Sequence, residues 1–214
     1  KFPEFFNSTN IFLYEKSESL KKLQKKKLFD EKIKWIKSFN SITSGPVIFL
    51  GNEFFDAIPI KQYEKFNNIL YEKYVKLENN LKIKNCLQKI NSKTTKQLKK
   101  FNLIKNQSFI EFPEQGLKEL DLIIGAIKRL NGGLLLIDYG FLKQKSVNTL
   151  QSIKDHKKNM LFNNVGNADI TSLVNFNLLK TYFKKKKLKI NNVVTQEFFL
   201  KKMGIINRAE ILRK

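Results

Sequence analysis

Cysteine is nearly missing from this 214-residue chain, histidine and tryptophan occur once each, and proline occurs four times. A lone Cys86 closes no internal disulfide, which fits a reducing compartment. One cysteine and one histidine fall short of a zinc ligand set, so no metal site is expected. No Gly-x-Ser-x-Gly elbow occurs, and Cys86 sits in a lysine-rich stretch, so neither a serine nor a cysteine hydrolase is expected. Long apolar runs are missing too. The longest, Leu122 to Ile127, is far short of the roughly 20 residues that a membrane-spanning helix needs. Arginine is scarce: only Arg129, Arg208 and Arg213 occur among 41 basic side chains, and the 19 acids leave a net charge of +22.

What is present suffices for a core. Hydrophobic residues make up 42% of the chain and aromatics 12%, which argues against wholesale disorder, and the length suits one domain or one domain with an insertion. The charge admits two readings, a polyanion surface or compositional drift. Nucleic-acid binders lean on arginine for phosphate and guanine, whereas this excess is lysine, accompanied by abundant Asn, Ile and Phe, all with AT-rich codons. Drift is favoured and nucleic acid is not the expected partner, although a potential this large attracts it whatever its origin.

The chain starts at Lys1 and its first methionine is Met160, so a fragment or processed chain is expected, with sequence missing on both sides. Lys1 to Asn10 lacks the basic, apolar, small-residue order of a signal peptide.

Asn10 to Glu15 is a short apolar run ending in an acid and reads as a buried strand. Ser17 then caps a helix with Leu20, Leu23 and Leu28 on one side. A second strand is expected over Ile33 to Ile36, ending near Ser38 and Phe39, and a third over Val47 to Leu50 after the Gly45-Pro46 break. This order indicates a mainly parallel sheet covered on both faces. Between 61 and 100 the pattern changes to partial alternation and then a polar, lysine-rich stretch, read as an inserted hairpin followed by a mobile or helical segment. Leu117 to Leu130 recur at helical spacing until Asn131-Gly132-Gly133 ends the helix. A strand over Leu134 to Ile137 delivers Asp138. The remainder reads as a polar loop from Gln144 to Asp169, a helix from about Phe176 to Lys187, a strand from Leu188 to Thr195 and a last helix from Gln196.

Three strands thus end in acids or amides: Glu15, then Asn52-Glu53 with Asp56, then Asp138. In an open parallel sheet ligands bind beyond the carboxyl ends of strands, and a carboxylate there can accept from both hydroxyls of a ribose. Spacing leaves open whether Glu15 does so or merely terminates a strand.

The ordered segments Gly51-Asn-Glu-Phe-Phe-Asp-Ala-Ile-Pro-Ile60, Gly132-Gly-Leu-Leu-Leu-Ile-Asp-Tyr-Gly140, Thr149 to His156 and Ala168 to Phe176 together resemble the MidA family. Its members are class I S-adenosylmethionine-dependent methyltransferases, the mitochondrial ones being complex I assembly factors. The resemblance implies a Rossmann-like α/β methyltransferase core, here residues 1–60 and 101–214 with the first strand missing, and a family-specific insertion at 61–100. It implies S-adenosyl-L-methionine as cofactor and a protein arginine as methyl acceptor, a respiratory complex I subunit being one possibility. Residue by residue, Glu15 matches the acid that holds the cofactor ribose, Ser38 and Phe39 fall where a strand end approaches the adenine, and Asn52, Glu53 and Asp56 match the signature beside the transferred methyl. Asn52 thus counts for both cofactor and catalysis. Glu53 and Asp56, three apart, face the same way if the chain turns helically there.

Two departures from the family stand out. The glycine-rich loop after the first strand precedes the present sequence, so weak or absent cofactor binding is expected of this polypeptide alone. Asn175 stands where the family usually has aspartate. For His156, a surface hydrogen bond and a catalytic role both remain open. Asp138 and Asp169 are read mainly as loop braces, and Lys184 to Lys187 as a solvated helix end. A non-catalytic assembly scaffold of the same fold and a basic nucleic-acid-binding module are the competing functions. The expected compartment is a bacterial cytoplasm, with the mitochondrial matrix if the source is eukaryotic.

Overall fold

The computed structural model describes every residue except Lys1, Asn80, Leu81, Asn106, Gln144 and Lys214. Gln144, the first residue of the expected polar loop, therefore lies outside the described residues. The chain is mixed α/β. In order its elements are α1 (Pro3–Ser8), β1 (Ile11–Tyr14), α2 (Glu18–Lys27), β2 (Ile33–Ile36), a 3-10 turn (Phe39–Ser41), β3 (Ile48–Asn52), β4 (Lys61–Phe66), β5 (Ile69–Leu77), β6 (Ile83–Lys89), α3 (Ser92–Lys100), β7 (Phe109–Phe112) and α4 (Glu114–Leu130). Next come β8 (Gly133–Ile137), β9 (Gly140–Phe141), β10 (Gln151–Lys154), β11 (Lys157–Asn159), β12 (Asp169–Thr171), β13 (Val174–Asn175), α5 (Phe176–Lys185), α6 (Gln196–Lys202) and α7 (Ile205–Arg213). No helix among the described residues is long and apolar enough to cross a membrane.

The chain divides into two compact units, residues 1–49 with 119–134, and residues 50–118 with 135–214. In the first, β1 and β2 pair in parallel, Ile11 opposite Ile33 and Tyr14 opposite Ile36. A parallel pair needs a crossover, and α2 supplies it. Ser17 caps α2 by accepting from the Leu20 N–H, and Lys25, Lys26 and Lys27 complement the dipole at its other end. The apolar side of α2 is exposed at Leu20 and Leu23. Leu120, Ile123, Ile124, Ile127 and Leu130 of α4 are buried. Asn131 closes that helix in the left-handed region, at φ 52°, with Gly132 N–H donating to Ile127 O.

In the second unit the largest sheet has the order β6-β5-β4-β7 and is antiparallel throughout. Asn67 and Asn68 both take positive φ, as a two-residue turn that follows strand twist requires. Tyr63, Leu70, Ile110 and Phe112 occupy its buried face, while Phe66, Val75, Leu77, Ile83 and Leu87 are exposed, the alternation that a one-sided sheet imposes. The segment expected as a hairpin is therefore larger, with β6 as a third strand before α3.

One further expectation, the mainly parallel sheet, is met in part, and two are corrected. Among the described residues, parallel pairing occurs in short two-stranded pieces, β1 with β2 and β9 with β13, and β3 with β8 forms another two-stranded sheet. The sheets are small, and the longest ladder, β5 with β6, lies in the antiparallel one. The polar loop contains a hairpin, β10 with β11, turned through Asp155 and His156 at positive φ; β12 then adds to β10. Residues 188–195 are irregular: an apolar alternation becomes a strand only with a neighbour to bond to, and among the described residues this segment has none.

Candidate functional site

In the first unit Glu15 sits directly after β1, and its carboxylate is engaged locally. Oε1 accepts the Ser17 N–H at 2.8 Å and Oε2 accepts Gln24 Nε2 at 3.2 Å. Gln24 Oε1 in turn accepts Trp35 Nε1 at 3.0 Å, so α2 and β2 both aim this acid. Each carboxylate oxygen has two lone pairs and spends one, which leaves both able to accept a hydroxyl.

Ser38 caps the 3-10 turn, accepting the Asn40 N–H at 3.2 Å. Phe39 is buried, its ring 4.5 Å from Tyr14 and 5.2 Å from Phe49 between centroids. Sequence reasoning missed Arg129. Its guanidinium donates to Phe39 O at 3.0 Å and Ile42 O at 3.2 Å, tying the turn to α4. Its rarity in a chain that otherwise uses lysine was the available signal; one guanidinium nitrogen, Nη2, serves both carbonyls.

In the second unit β3 ends at Asn52 and the chain turns sharply. Glu53 sits at φ 47°, the left-handed region, and its N–H donates to Ile137 O at 2.9 Å. A non-glycine residue there is strained. The turn is not helical, so the expected helical register of Glu53 with Asp56 does not form. Asp138, just past β8, organises the turn after β3. Its Oδ2 accepts the N–H groups of Phe55 at 2.8 Å and Asp56 at 3.3 Å, and its Oδ1 accepts that of Tyr139 at 2.9 Å. Phe55 is buried, and Gly116 of α4 lies against its ring: a Cβ at that glycine would stand 2.6 Å from Phe55 Cζ.

Burial pushes the Asp56 carboxyl above the ordinary aspartate range, with the Asp138 charge next in weight and Glu53 adding to it. Burial likewise raises Asp138, against the backbone N–H groups of Phe55, Tyr139 and Asp56, which favour its charged form. Asp56 Oδ1 is buried and has no hydrogen-bond partner among the described residues. In a chain with 41 basic side chains, none of the ion pairs among the described residues reaches Asp56 or Asp138. The acids crowd one another and, among the described residues, lack a cation.

The remaining candidates have structural settings. Asn175 Oδ1 accepts the Leu178 N–H at 2.9 Å and caps α5, a duty amide and carboxylate perform about equally. His156 is exposed at the hairpin turn, and Asp169 is exposed at the start of β12.

A family model described as "Putative S-adenosyl-L-methionine-dependent methyltransferase" (Methyltransf_28) matches residues 1–194. The chain belongs to that family. The match bears out the MidA resemblance, as do curated relatives named for arginine methylation. The "Protein arginine methyltransferase NDUFAF7 homolog, mitochondrial" of Caenorhabditis elegans is 32% identical over 185 residues, 84% of this chain and 42% of the relative. The Danio rerio "Protein arginine methyltransferase NDUFAF7, mitochondrial" is 27% identical over 182 residues, again 84% and 42%. The chain thus spans less than half the length of these relatives. Among solved structures, a Burkholderia thailandensis protein bound to S-adenosyl-homocysteine superposes with a TM-score of 0.65 at 17% identity, covering 82% of this chain and 48% of that one. A native crystal structure of a protein of the same superfamily and organism gives 0.64 at 15% identity, covering 82% and 50%. At such identities the likeness is one of fold.

Proposed function

We propose that the protein to which this chain belongs is an S-adenosylmethionine-dependent methyltransferase acting on arginine side chains of a protein substrate. The parallel strand pairs are then parts of a Rossmann-like class I methyltransferase sheet, and residues 61–100 an insertion into a core formed by 1–60 and 101–214. The observation that carries the reading is the pair of desolvated acids, Asp56 and Asp138, with no cation on either among the described residues. Such a pair favours a cationic ligand, because a guanidinium offers two parallel donors to a carboxylate and relieves like-charge crowding.

Glu15 suits a ribose: its two oxygens are held in place by α2 and each keeps a lone pair for one of two neighbouring hydroxyls. Ser38 and Phe39 lie on the turn after β2, where an adenine would be met, and Arg129 fixes the backbone of that turn. Bound S-adenosylmethionine supplies an electrophilic methyl on sulfur. The contribution of the chain is to present the acceptor nitrogen in line with it, so positioning dominates. In this reading Glu53 and Asp56 grip the guanidinium and polarise the attacking nitrogen, and Asn52 orients groups beside the methyl. Arginine is protonated at neutral pH and its methylated form is again a monocation, so the nitrogen that takes the methyl gives up one proton, for which a carboxylate of this turn is the acceptor, while the sulfonium leaves as a neutral thioether.

The substrate class is that of the relatives named for arginine methylation; a complex I subunit is the specific candidate, and the compartment is the mitochondrial matrix or, for a bacterial source, the cytoplasm. Glu53→Gln in the full-length protein tests the assignment. Methyl transfer to arginine peptides should fall by about 100-fold or more, with S-adenosylmethionine affinity by calorimetry unchanged. Retained transfer would remove Glu53 from the mechanism.

A further inference from the structure

Asp56 is held from two sides. Its N–H goes to Asp138, while its carbonyl accepts the Ser172 N–H at 3.0 Å. The next residue, Leu173, donates its N–H to Thr149 Oγ1 at 3.0 Å. Thr149 Oγ1 gives its own proton to Glu111 Oε2, and the Thr149 N–H donates to Glu111 Oε1 at 3.0 Å. Gln62, opposite Glu111 in the β4–β7 ladder, donates Nε2 to the same Oε1 at 2.9 Å and to Asn148 Oδ1 at 2.7 Å. A carboxylate on the antiparallel sheet thus ends a chain of hydrogen bonds that reaches the backbone of the acidic turn.

The direction of each bond is forced. A hydroxyl has one proton; because Leu173 donates to Thr149 Oγ1, that proton must go elsewhere, and Glu111 is the acceptor beside it. We propose that Glu111 and Thr149 are positioning residues for Asp56, fixing the 172–173 backbone that holds the Asp56 carbonyl. The assignment of a role in methyl transfer rests on the proposed arginine methyltransferase function; the mechanical link does not. Ser172 is itself buried, and together with Phe55 and Glu111 it lines a cavity of about 20 Å³, so slack in this chain of bonds would open directly beside the acidic turn. Asp138 and Glu53 are the charged groups that act on the Asp56 carboxyl, and neither belongs to the Glu111 chain, which leaves a separate handle on its position.

The test is Thr149→Val, which keeps shape and removes the hydroxyl, with Thr149→Ser as rescue. Read by NMR, the valine variant should raise amide hydrogen exchange at Ser172 and Leu173 by about tenfold and move the titration of the Asp56 carboxyl, and the serine variant should restore both. Glu111→Gln, which keeps one acceptor oxygen, should change both in the same direction by less and serves if the valine variant does not fold. Wild-type exchange and titration in the valine variant, or in Glu111→Gln where that one replaces it, would overturn the proposal, as would failure of serine to restore them. None of these readouts involves methyl transfer. If the link holds and the full-length protein methylates no arginine, only the methyltransferase reading fails.

Discussion

Two acids stand just past strand ends, and the protein treats them oppositely. Glu15 after β1 is satisfied within ten residues of chain, by the Ser17 N–H and Gln24, and is part-buried. Asp56, in the turn after β3, has the neighbouring Ala57 N–H on its carboxyl but otherwise depends on partners far away in sequence: Asp138 on its N–H, Ser172 on its carbonyl, and no partner on its buried Oδ1 among the described residues. A part-buried carboxylate that is locally bonded costs little and can still accept neutral hydroxyls. One that is desolvated beside another acid is destabilising until a cation arrives. Under the proposed function, the contrast would separate a seat for a polar, uncharged group from a seat for a guanidinium.

Breaking the second seat should hurt most. Asp138→Ala leaves the N–H groups of Phe55, Asp56 and Tyr139 without their acceptor, and a loss of about 3 kcal/mol in urea unfolding is expected. Glu53→Gly should sharpen the contrast from the other direction. Releasing a left-handed residue from strain stabilises by about 1 kcal/mol, while arginine methylation by the full-length protein is lost, a trade that only a functional residue makes. The smallest effect belongs to the first seat. Gln24→Ala should cost roughly 0.5–1 kcal/mol and weaken S-adenosylmethionine binding by the full-length protein, with no change in arginine-peptide affinity.

The same division explains what could be read from the chain alone. Glu15, Ser17 and the strand before them form a local pattern, an apolar run, an acid and a cap, and each part sits where its periodicity and hydrogen-bonding chemistry place it. So does α4, whose apolar spacing and Asn131 closure need no distant partner. Asn52, Glu53 and Asp56 were legible as a motif but not as a geometry: the positive φ of Glu53 and the bond from its N–H to Ile137 depend on a strand some eighty residues away. Glu111 was not legible, Arg129 stood out only as a rare residue type and Thr149 only as the start of a motif, since each acts on backbone brought near only by folding. The expected strand at 188–195 failed for the complementary reason, an apolar alternation with no ladder to join. The segment 61–100 was underestimated because β6 is polar along much of its length, and its pairing with β5 rather than its own composition makes it a strand.

The most direct test of the cation seat is the titration of the Asp56 carboxyl, followed by 13C NMR with and without an arginine-containing peptide. Burial and Asp138 favour the protonated form in the free protein, whereas a bound guanidinium favours the charged form. Binding should therefore expel a proton and tighten as pH rises through the range where Asp56 titrates. The expected result is a carboxyl that titrates above the usual aspartate range when free and falls when the peptide is added. A carboxyl that titrates in the ordinary range, or one that the peptide leaves unmoved, would contradict the assignment.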